Sequence, residues 1–406
     1  MAPRTNDQFP FLSLELKVKP PIQTNSVQNF DPAAIAQDAE STHVVVHARF
    51  PELVGSFLVH KRKHGSTYEK DLYGTSTADF SWRDEVARLI AKRPLVFMGG
   101  GDFTVLRDGS RFGNERAEWD RNGTDTQDLN KALTLKEYLS YDEIMLGSLI
   151  GVSSPSFFIN AGGRYNSGKP AKEGTFEPRG IIVGLVGARF ERDGRMDSAL
   201  ILPTVKKTHM HVELSKIFYA FFGRNKNESV EFDVEMYKAR MRVTIEILLL
   251  EANSRAREAD KKAYTYIVGL GLGVWQYNAQ QAEYYIDAFT SALKELRLPG
   301  VGSIDFAWIG NVPKACEQRV TDAAAKQDIS VIFSKRNPAE KLETDELLVL
   351  SYAWDGNAFP GNEYWCGSLS GSGDPAAACV STIGELHNPL VNPEFVKRIK
   401  VLMQDE

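Results

Sequence analysis

Three carboxylates, Asp355, Glu363 and Asp374, lie close together near the C-terminal end of the chain. The segment that joins them is rich in glycine and asparagine and also holds Trp354 and Trp365. Such a loop indicates a site, because loops carry function and exposed tryptophan is costly unless a ligand covers it. Crowded carboxylates raise one another's pKa, so one can donate a proton near neutral pH while another stays charged. The segment therefore predicts a functional site whose acids could act as general acid and base.

The same acids allow two other interpretations. They could bind a divalent cation through oxygen ligands, which makes magnesium the alternative to a reaction without a cofactor. Asp374 precedes Pro375 and a run of small residues, so it could serve only as the N-cap of a helix. No spacing matches an EF-hand loop or a zinc site, and His209 and His211 have no third candidate ligand nearby in the sequence. We expect no metal site and no cofactor, and we keep magnesium as the alternative.

The elements around the acids predict how they are positioned. A buried strand, Leu347–Ala353, precedes the acidic loop. Proteins of the α/β class bind phosphorylated ligands with a strand that leads through a polar glycine loop into the start of a helix. A second such loop follows the predicted strand Tyr264–Val268. Its glycines either bring backbone amides to a diphosphate or only allow close packing. Because the spacing is not GxGxxG and no acid stands in the usual ribose position, an NAD-dependent dehydrogenase is a poor fit. The candidate ligand-binding residues of this loop are Gly269, Gly271, Gly273, Trp275 and Gln276.

Two further strand ends open into polar turns. The predicted strand Pro94–Met98 runs into glycines and an acid, and Phe157–Asn160 runs into another glycine turn. Strand ends that repeatedly open into Gly, Asn and Asp disfavour a purely structural scaffold. Aromatic residues in these loops could stack on a base or pack in the core, and the sequence does not decide among Phe103, Trp354, Tyr364 and Trp365.

Several of these loops resemble parts of a macrodomain. The unit from Tyr264 through the predicted strand Ser303–Trp308 resembles the C-terminal part of that fold, where a Gly-rich phosphate loop carries an aromatic residue. One turn is similar to the opening Gly-Asp-(Ile/Val)-Thr signature, whose acid binds the adenine amino group: Gly101, Asp102, Phe103 and Thr104. By this resemblance Asp102 is the adenine ligand. The turn Ile159–Gly162 resembles the Asn-Ala-Ala-Asn element, so Asn160 and Asn357 compete for contact with the ribose.

The closing segment resembles a more specific family. Its motifs, Trp354–Asn357, Glu363 and Gly373–Ala377, look like the acidic signature of the macrodomain-related ADP-ribosyl hydrolases that include the Legionella effector MavL. Glu363 stands where that family has Asp, and the spacing to Asp374 is one residue longer. The resemblance covers roughly residues 94–390. It implies a macrodomain-like α/β fold, a three-layer sandwich with a central mixed sheet and helical N-terminal additions.

The resemblance also implies a reaction. A hydrolase of this family would bind ADP-ribose and remove it from mono-ADP-ribosylated arginine on a protein, with ubiquitin as a candidate. Asp355 and Glu363 would flank the ribose, and Asp374 would orient or activate the water, while Asn357 and Asn362 would contact the ligand. Two other functions stay open. A non-catalytic ADP-ribose reader would not depend on the acids, and a metal-dependent hydrolase of a free nucleotide would use them as ligands.

The composition bounds the class of protein. The chain has 406 residues with 48 basic and 53 acidic ones, which predicts neither a nucleic-acid partner nor an anionic membrane surface. No apolar run approaches the roughly 20 residues that span a bilayer. The three cysteines show no CxxC spacing, so we expect reduced thiols and a cytoplasmic protein. We predict a tail or extended arm over 1–40, a helical N-terminal extension over 41–93 and a catalytic domain with insertions over 94–406.

Two local patterns complete the expectation. The apolar runs Ile181–Phe190 and Met196–Leu202 flank Asp193-Gly194, which is a strong hairpin signal. The segment Val230–Ala256 has apolar residues at near-helical spacing among many charges, which predicts a long helix at the surface. Strands that alternate with helices on this scale predict a mixed sheet covered on both faces.

Overall fold

An eight-stranded mixed sheet forms the centre of the molecule. The computed structural model describes residues 17–20, 22–98, 103–112, 116–204, 208–367 and 376–404. The order in the central sheet is β11-β1-β5-β6-β10-β7-β8-β9, with β5 antiparallel to both neighbours and every other pair parallel. The predicted α/β fold with a central mixed sheet is therefore confirmed. The strands are β1 (His43–His47), β2 (Val96–Met98), β3 (Phe103–Val105), β4 (Arg111–Phe112), β5 (Ile150–Phe157), β6 (Arg179–Leu185), β7 (Ala263–Ile267), β8 (Val301–Ala307), β9 (Ser330–Ser334), β10 (Leu347–Ala353) and β11 (Ile399–Leu402).

Helices and the C-terminal segment cover the two faces of the sheet. Ser153 of β5 donates to Glu251, and the next residue, Ser154, bonds His387 near the C-terminus. Since successive strand side chains point to opposite faces, the helix with Glu251 and the C-terminal segment cover opposite faces. The helices are α1 (Pro32–Ser41), α2 (Phe50–His64), α3 (Thr67–Tyr73), α4 (Trp82–Ala91), α5 (Arg116–Arg121), α6 (Tyr141–Gly147), α7 (Ser198–Ile201), α8 (Val212–Phe221), α9 (Val234–Glu258), α10 (Gln281–Glu295), α11 (Lys314–Ala325), α12 (Asn362–Cys366) and α13 (Ala376–Cys379), with a π-helical turn over Thr382–Leu386.

The N-terminal part of the chain is more closely joined to the sheet than we expected. Residues 41–93 do contain α2, α3 and α4, but they begin with β1, which pairs with β5 on one side and β11 on the other. Its three valines, Val44–Val46, are fully buried. Within the region predicted to be a tail, residues 32–41 form α1, whose N-cap Asp31 accepts a hydrogen bond from the Ala34 amide.

The predicted hairpin around Asp193-Gly194 is wrong. Only the beginning of the first apolar run is a strand: β6 ends at Leu185 and pairs with β5 and β10. The second run is not a strand, because residues 198–201 form the short buried helix α7. A short apolar run has no periodicity that separates a buried strand from a buried helix, which explains the error.

The prediction of a long helix is confirmed by α9, but its predicted position at the surface is wrong. It runs from Val234 to Glu258 across one face of the central sheet, and most of its residues are buried. Several of its charged side chains are buried in ion pairs, such as Arg255 with Glu251 at 2.7 Å. Among the helices in the described part of the chain, none is long and apolar enough to cross a membrane.

A second, three-stranded antiparallel sheet lies beside the first. It consists of β2, β3 and β4, and the central sheet has no strand in common with it. Asn362 at the start of α12 accepts a hydrogen bond from the Phe97 amide of β2 at 2.9 Å. The small sheet is thereby attached to the segment that follows β10.

Candidate active site

Three loops meet at one edge of the central sheet. The strands β6, β10 and β7 are adjacent and parallel, so the loops that follow their carboxyl ends leave the sheet side by side. We call them the Arg189 loop (residues 186–197), the Asp355 loop (residues 354–361) and the glycine loop (residues 268–280). This edge is where open α/β sheets bind ligands, and the loop with Asp355 and the loop with the predicted glycines leave the sheet there.

The Asp355 loop is held by its own side chains and by two arginines. The Trp354 amide donates to the Leu185 carbonyl at 2.8 Å, which ties the loop to β6, and Gly356 has φ 76°, a conformation that favours glycine. Arg93, fully buried, stacks on Trp354 at 4.0 Å and donates to the Gly356 carbonyl. Arg189 donates to the Asp355 carbonyl. Adjacent carbonyls of the loop are therefore each held by a guanidinium.

The Asp355 carboxyl group lies at the centre of this arrangement. The amide of Asn362 donates to it, and Glu363 follows directly in the first turn of α12. Burial raises the pKa of Asp355 to about 7, helped by the negative charges of Glu363 and Glu191 and opposed by Arg189 and the Asn362 hydrogen bond. At neutral pH this carboxyl group is therefore partly protonated, as a general acid requires.

Arg189 joins the Asp355 loop to the glycine loop. Its guanidinium lies 4.1 Å from the centre of the Trp275 ring, forms an ion pair with Glu191 and reaches the Asp355 carbonyl. One positive charge is therefore placed between the aromatic residue expected at the diphosphate and the carboxyl group expected at the ribose.

The glycine loop packs against the Arg189 loop at very short range. A methyl group on Gly187 would lie 2.3 Å from the Gly271 nitrogen, and one on Gly271 would lie 2.9 Å from the Ala188 carbonyl oxygen. Gly271 also has φ 75°, whereas a methyl group on Gly273 would meet open space. The loop continues past Gln276 before α10 begins at Gln281, so its glycines do not lead directly into the helix. Gly269, Gly273 and Gln276 lie in its turns, and their predicted contacts with a diphosphate stay predictions.

Of the predicted adenine-binding turn, the structure describes only Phe103 and Thr104. Gly101, Asp102 and Asp374 lie outside the described residues. Phe103 begins β3 and is partly exposed, and Thr104 is buried with its hydroxyl accepting from Trp119 at 3.0 Å. Thr104 thus supports the packing of the small sheet, and its predicted contact with a ligand stays a prediction.

The two asparagines that competed for the ribose lie at different places. Asn160 follows β5, which runs opposite to β6, so it leaves the sheet at the edge away from the three loops. Its side-chain nitrogen donates hydrogen bonds to Asn166 and to the Lys169 carbonyl, and its side-chain oxygen accepts one from the Gly162 amide. These bonds fix the local turn. The structure therefore does not bring Asn160 to the site. Asn357 lies in the Asp355 loop, 3% exposed, and its side-chain oxygen has no hydrogen-bond partner among the residues that the structure describes. Its contact with the ribose stays a prediction.

Sequence reasoning missed the arginines and Glu191. Arg189 and Glu191 follow β6, and their signal was a buried strand that ends in small residues before a charged turn. The false hairpin hid that signal, because it extended the strand to Phe190. Arg93 precedes β2 and gave no signal, since a single arginine after a helix is ordinary at a protein surface.

Comparisons with known proteins identify the family of the chain. The family model of MavL-like ADP-ribosylhydrolases matches residues 7–212 and 204–403. The ADP-ribosylarginine hydrolase CG3568 of Drosophila melanogaster is 36% identical over 406 aligned residues, covering 89% of this chain and 78% of that protein. The ADP-ribosylarginine hydrolase CG2909 of the same organism is 33% identical, covering 89% of this chain and 79% of that protein. The matches confirm the predicted resemblance and hydrolase class, and the chain belongs to the MavL-like ADP-ribosylhydrolase family.

Proposed function

We propose that this protein removes ADP-ribose from mono-ADP-ribosylated arginine by hydrolysing the N-glycosidic bond at the anomeric carbon of the ribose. The observation that carries the proposal is the Asp355 carboxyl group, which lies where three loops meet. It accepts a hydrogen bond from the Asn362 side chain, and its pKa is raised to about 7. A carboxyl group of this kind can donate a proton to a departing guanidine near neutral pH. The names of the two Drosophila melanogaster proteins support the arginine linkage.

The residues divide the reaction between them. Asp355 donates the proton to the leaving nitrogen, and the carboxylate of Glu363 stabilises the positive charge that develops on the ribose. Asp374 orients or activates the attacking water, as the sequence resemblance implies. The water adds to the anomeric carbon as the bond to the guanidine nitrogen breaks, so the products are free ADP-ribose and an unmodified arginine side chain.

The remaining loops bind the nucleotide. We assign the diphosphate to the glycine loop with Trp275 and Arg189, because a positive charge and glycine backbone lie together there. Asn357 is assigned to the ribose and Asp102 to the adenine. The family implies an ADP-ribosylated protein as substrate, and we propose ubiquitin as the first one to test. We also propose that the protein acts in the cytoplasm, where the thiols of its three cysteines would remain reduced.

We propose that no cofactor takes part, with magnesium as the alternative. Asp355, Glu363 and Asp374 carry the oxygen ligands that magnesium prefers. A rate of ADP-ribose release that is unchanged by EDTA would support the proposal. A rate that EDTA abolishes and magnesium restores would overturn it in favour of the metal.

The first experiment compares wild-type protein with Asp355→Asn on a mono-ADP-ribosylated arginine substrate, with the products identified by mass spectrometry. Wild-type protein should release free ADP-ribose. Asp355→Asn should lower kcat by roughly 10²- to 10⁴-fold, the range for loss of a general acid, while calorimetry shows ADP-ribose still bound.

The control is Asp345→Asn, which makes the same chemical change at an exposed surface ion pair with Lys261. It should leave the rate unchanged. A normal rate for Asp355→Asn would contradict the assigned role of Asp355. Release of AMP would indicate a phosphohydrolase instead, and binding by the wild-type protein without release would indicate a reader.

A further inference from the structure

We infer that Asp197 and Arg240 are positioning residues for this active site, acting through Arg189 on the Asp355 loop. The inference rests on the proposed function for its kinetic consequences. Its structural basis is a continuous chain of contacts from the buried helix α9 to the Asp355 loop.

The first link joins α9 to the Arg189 loop. Arg240 on α9 is 1% exposed, and its Nε donates to one carboxylate oxygen of Asp197 at 2.9 Å. Its Nη2 donates to the carbonyls of Val186 at 3.2 Å and Gly187 at 3.4 Å. One guanidinium therefore holds both the start of the loop and the side chain near its end.

The second link joins Asp197 to Arg189. Its other carboxylate oxygen accepts from the Arg189 amide at 2.9 Å. Carbonyls at 186 and 187 and the amide at 189 are thus fixed by a single ion pair. The same turn touches the glycine loop at Gly187, where no side chain would fit. The direction in which the Arg189 side chain leaves the backbone is set by these contacts.

The third link joins Arg189 to Asp355. The Arg189 guanidinium, stacked on Trp275, donates to the Asp355 carbonyl and places a positive charge near the Asp355 carboxyl group. A shift of the Arg189 backbone would therefore move the charge and the carbonyl contact together. Misplacement of reacting groups by about 1 Å can cost roughly 100-fold in rate, so such a chain has a kinetic effect.

The geometry favours this role over simple stabilisation. A buried ion pair is weak evidence for stability, since apolar residues can often replace it without loss. Here the two side chains of the pair also form three hydrogen bonds with the backbone of one turn, at residues 186, 187 and 189. That turn carries Arg189. An apolar pair could fill the same space but could not fix those backbone groups.

The test is a double-mutant cycle with Asp197→Asn and Arg189→Gln. We measure kcat and KM, the pH dependence of kcat/KM, and the titration of the Asp355 carboxyl carbon by NMR in the ligand-free protein. Arg189→Gln should lower kcat by roughly 10- to 100-fold with a smaller change in KM, and it should raise the pKa of Asp355, because a positive charge that favours the carboxylate is lost. Asp197→Asn should shift both quantities in the same direction by less.

The double variant decides the question. If Asp197 acts through Arg189, adding Asp197→Asn to Arg189→Gln should change kcat and the Asp355 titration no further. Independent, multiplying effects on kcat would overturn the inference. Should Asp197→Asn fail to fold, Arg240→Lys replaces it: the lysine keeps the charge but lacks the fork that reaches residues 186, 187 and 197 together. It should reproduce the smaller shift, and an unchanged Asp355 titration would overturn the inference.

Glu251→Gln is the matched control. Glu251 lies on the same helix, is fully buried and pairs with Arg255 at 2.7 Å. Its contacts include His43 at the start of β1, away from the three loops. It should lower stability and leave the Asp355 titration in place, and an equal shift of that titration would overturn the inference. Because the NMR titration needs no turnover, it still tests the chain of contacts if the wild-type protein releases no ADP-ribose, a result that would refute only the proposed function.

Discussion

At the scale of single residues, the ionisation of Asp355 is the property that most directly affects activity. Burial raises its pKa to about 7, and the neighbouring negative charges of Glu363 and Glu191 act in the same direction. As a general acid Asp355 works only when protonated. The profile of kcat/KM should therefore fall as pH rises through about 7, because the carboxyl group loses the proton that the leaving nitrogen needs.

Asn362→Ala should move this falling limb to higher pH. The Asn362 amide donates to the Asp355 carboxylate and so lowers its pKa, and removal of the donor leaves the proton more tightly bound. The rate at the plateau should also fall, by roughly 10-fold, because the carboxyl group is less well oriented. The measurement is kcat/KM from pH 5 to 9.

Asn253→Ala serves as control for that variant. Asn253 is likewise buried and accepts from the Gly300 amide at 2.7 Å, away from the three loops. It should cost stability without moving the limb. If the falling limb of the kcat/KM profile of Asn362→Ala stays in place or moves to lower pH, another group controls the pH dependence.

At the scale of elements, two glycines of one loop should respond differently to the same change. Gly271→Ala should destabilise the protein by about 1–3 kcal/mol and weaken ADP-ribose binding, because the position has φ 75° and a methyl group would lie 2.9 Å from a backbone oxygen. Gly273→Ala should be tolerated, since its methyl group would meet open space. Urea unfolding and calorimetry measure the two effects. Equal losses for both variants would contradict the assigned conformation of the loop.

The same scale shows which elements can be predicted from sequence. The strand β10 was predicted at the bounds that the structure has, because it has a clear apolar pattern and a clear end. The helix α9 was placed at the surface because its charges, including Arg240 and Glu251, suggested water. Ion pairing buries those charges, and no local pattern in a sequence reports pairing with distant residues.

At the scale of the whole molecule, the order of the strands decides what the site contains. The Asp355 loop and the glycine loop were identified from sequence, because each has its own composition. Arg189 was not, since it reaches Asp355 only because β6 lies next to β10 in the sheet. Asn160 was misplaced for the same reason: β5 runs in the opposite direction, which its sequence does not reveal.

Three histidines link two helices far apart in the sequence. His60 and His64 of α2 and His211 at the N-cap of α8 have ring centres 4.9 to 5.2 Å from one another. Burial lowers the pKa of His60 from 6.5 to about 4, and the positive charge of Lys61 and the two other histidines act in the same direction, against Asp142. His60 is therefore neutral in the folded protein at pH values where the unfolded chain would bind a proton.

This difference should make folding stability fall in mild acid. Stability from neutral His60 is present above pH 6.5 and is lost as pH falls towards 4. A pKa that drops from 6.5 to about 4 corresponds to about 2 kcal/mol between pH 7.5 and 5, and solvent screening reduces the expected loss to about 1 kcal/mol. Urea unfolding of wild-type protein and His60→Phe at both values measures it, because phenylalanine keeps a ring at this position but takes up no proton. The stability of the variant should depend less on pH. His387, whose pKa burial lowers to about 3, is present in both proteins and cancels in the comparison. If both proteins lose the same stability, protonation of His60 does not contribute, and the histidine contact between α2 and α8 is only packing.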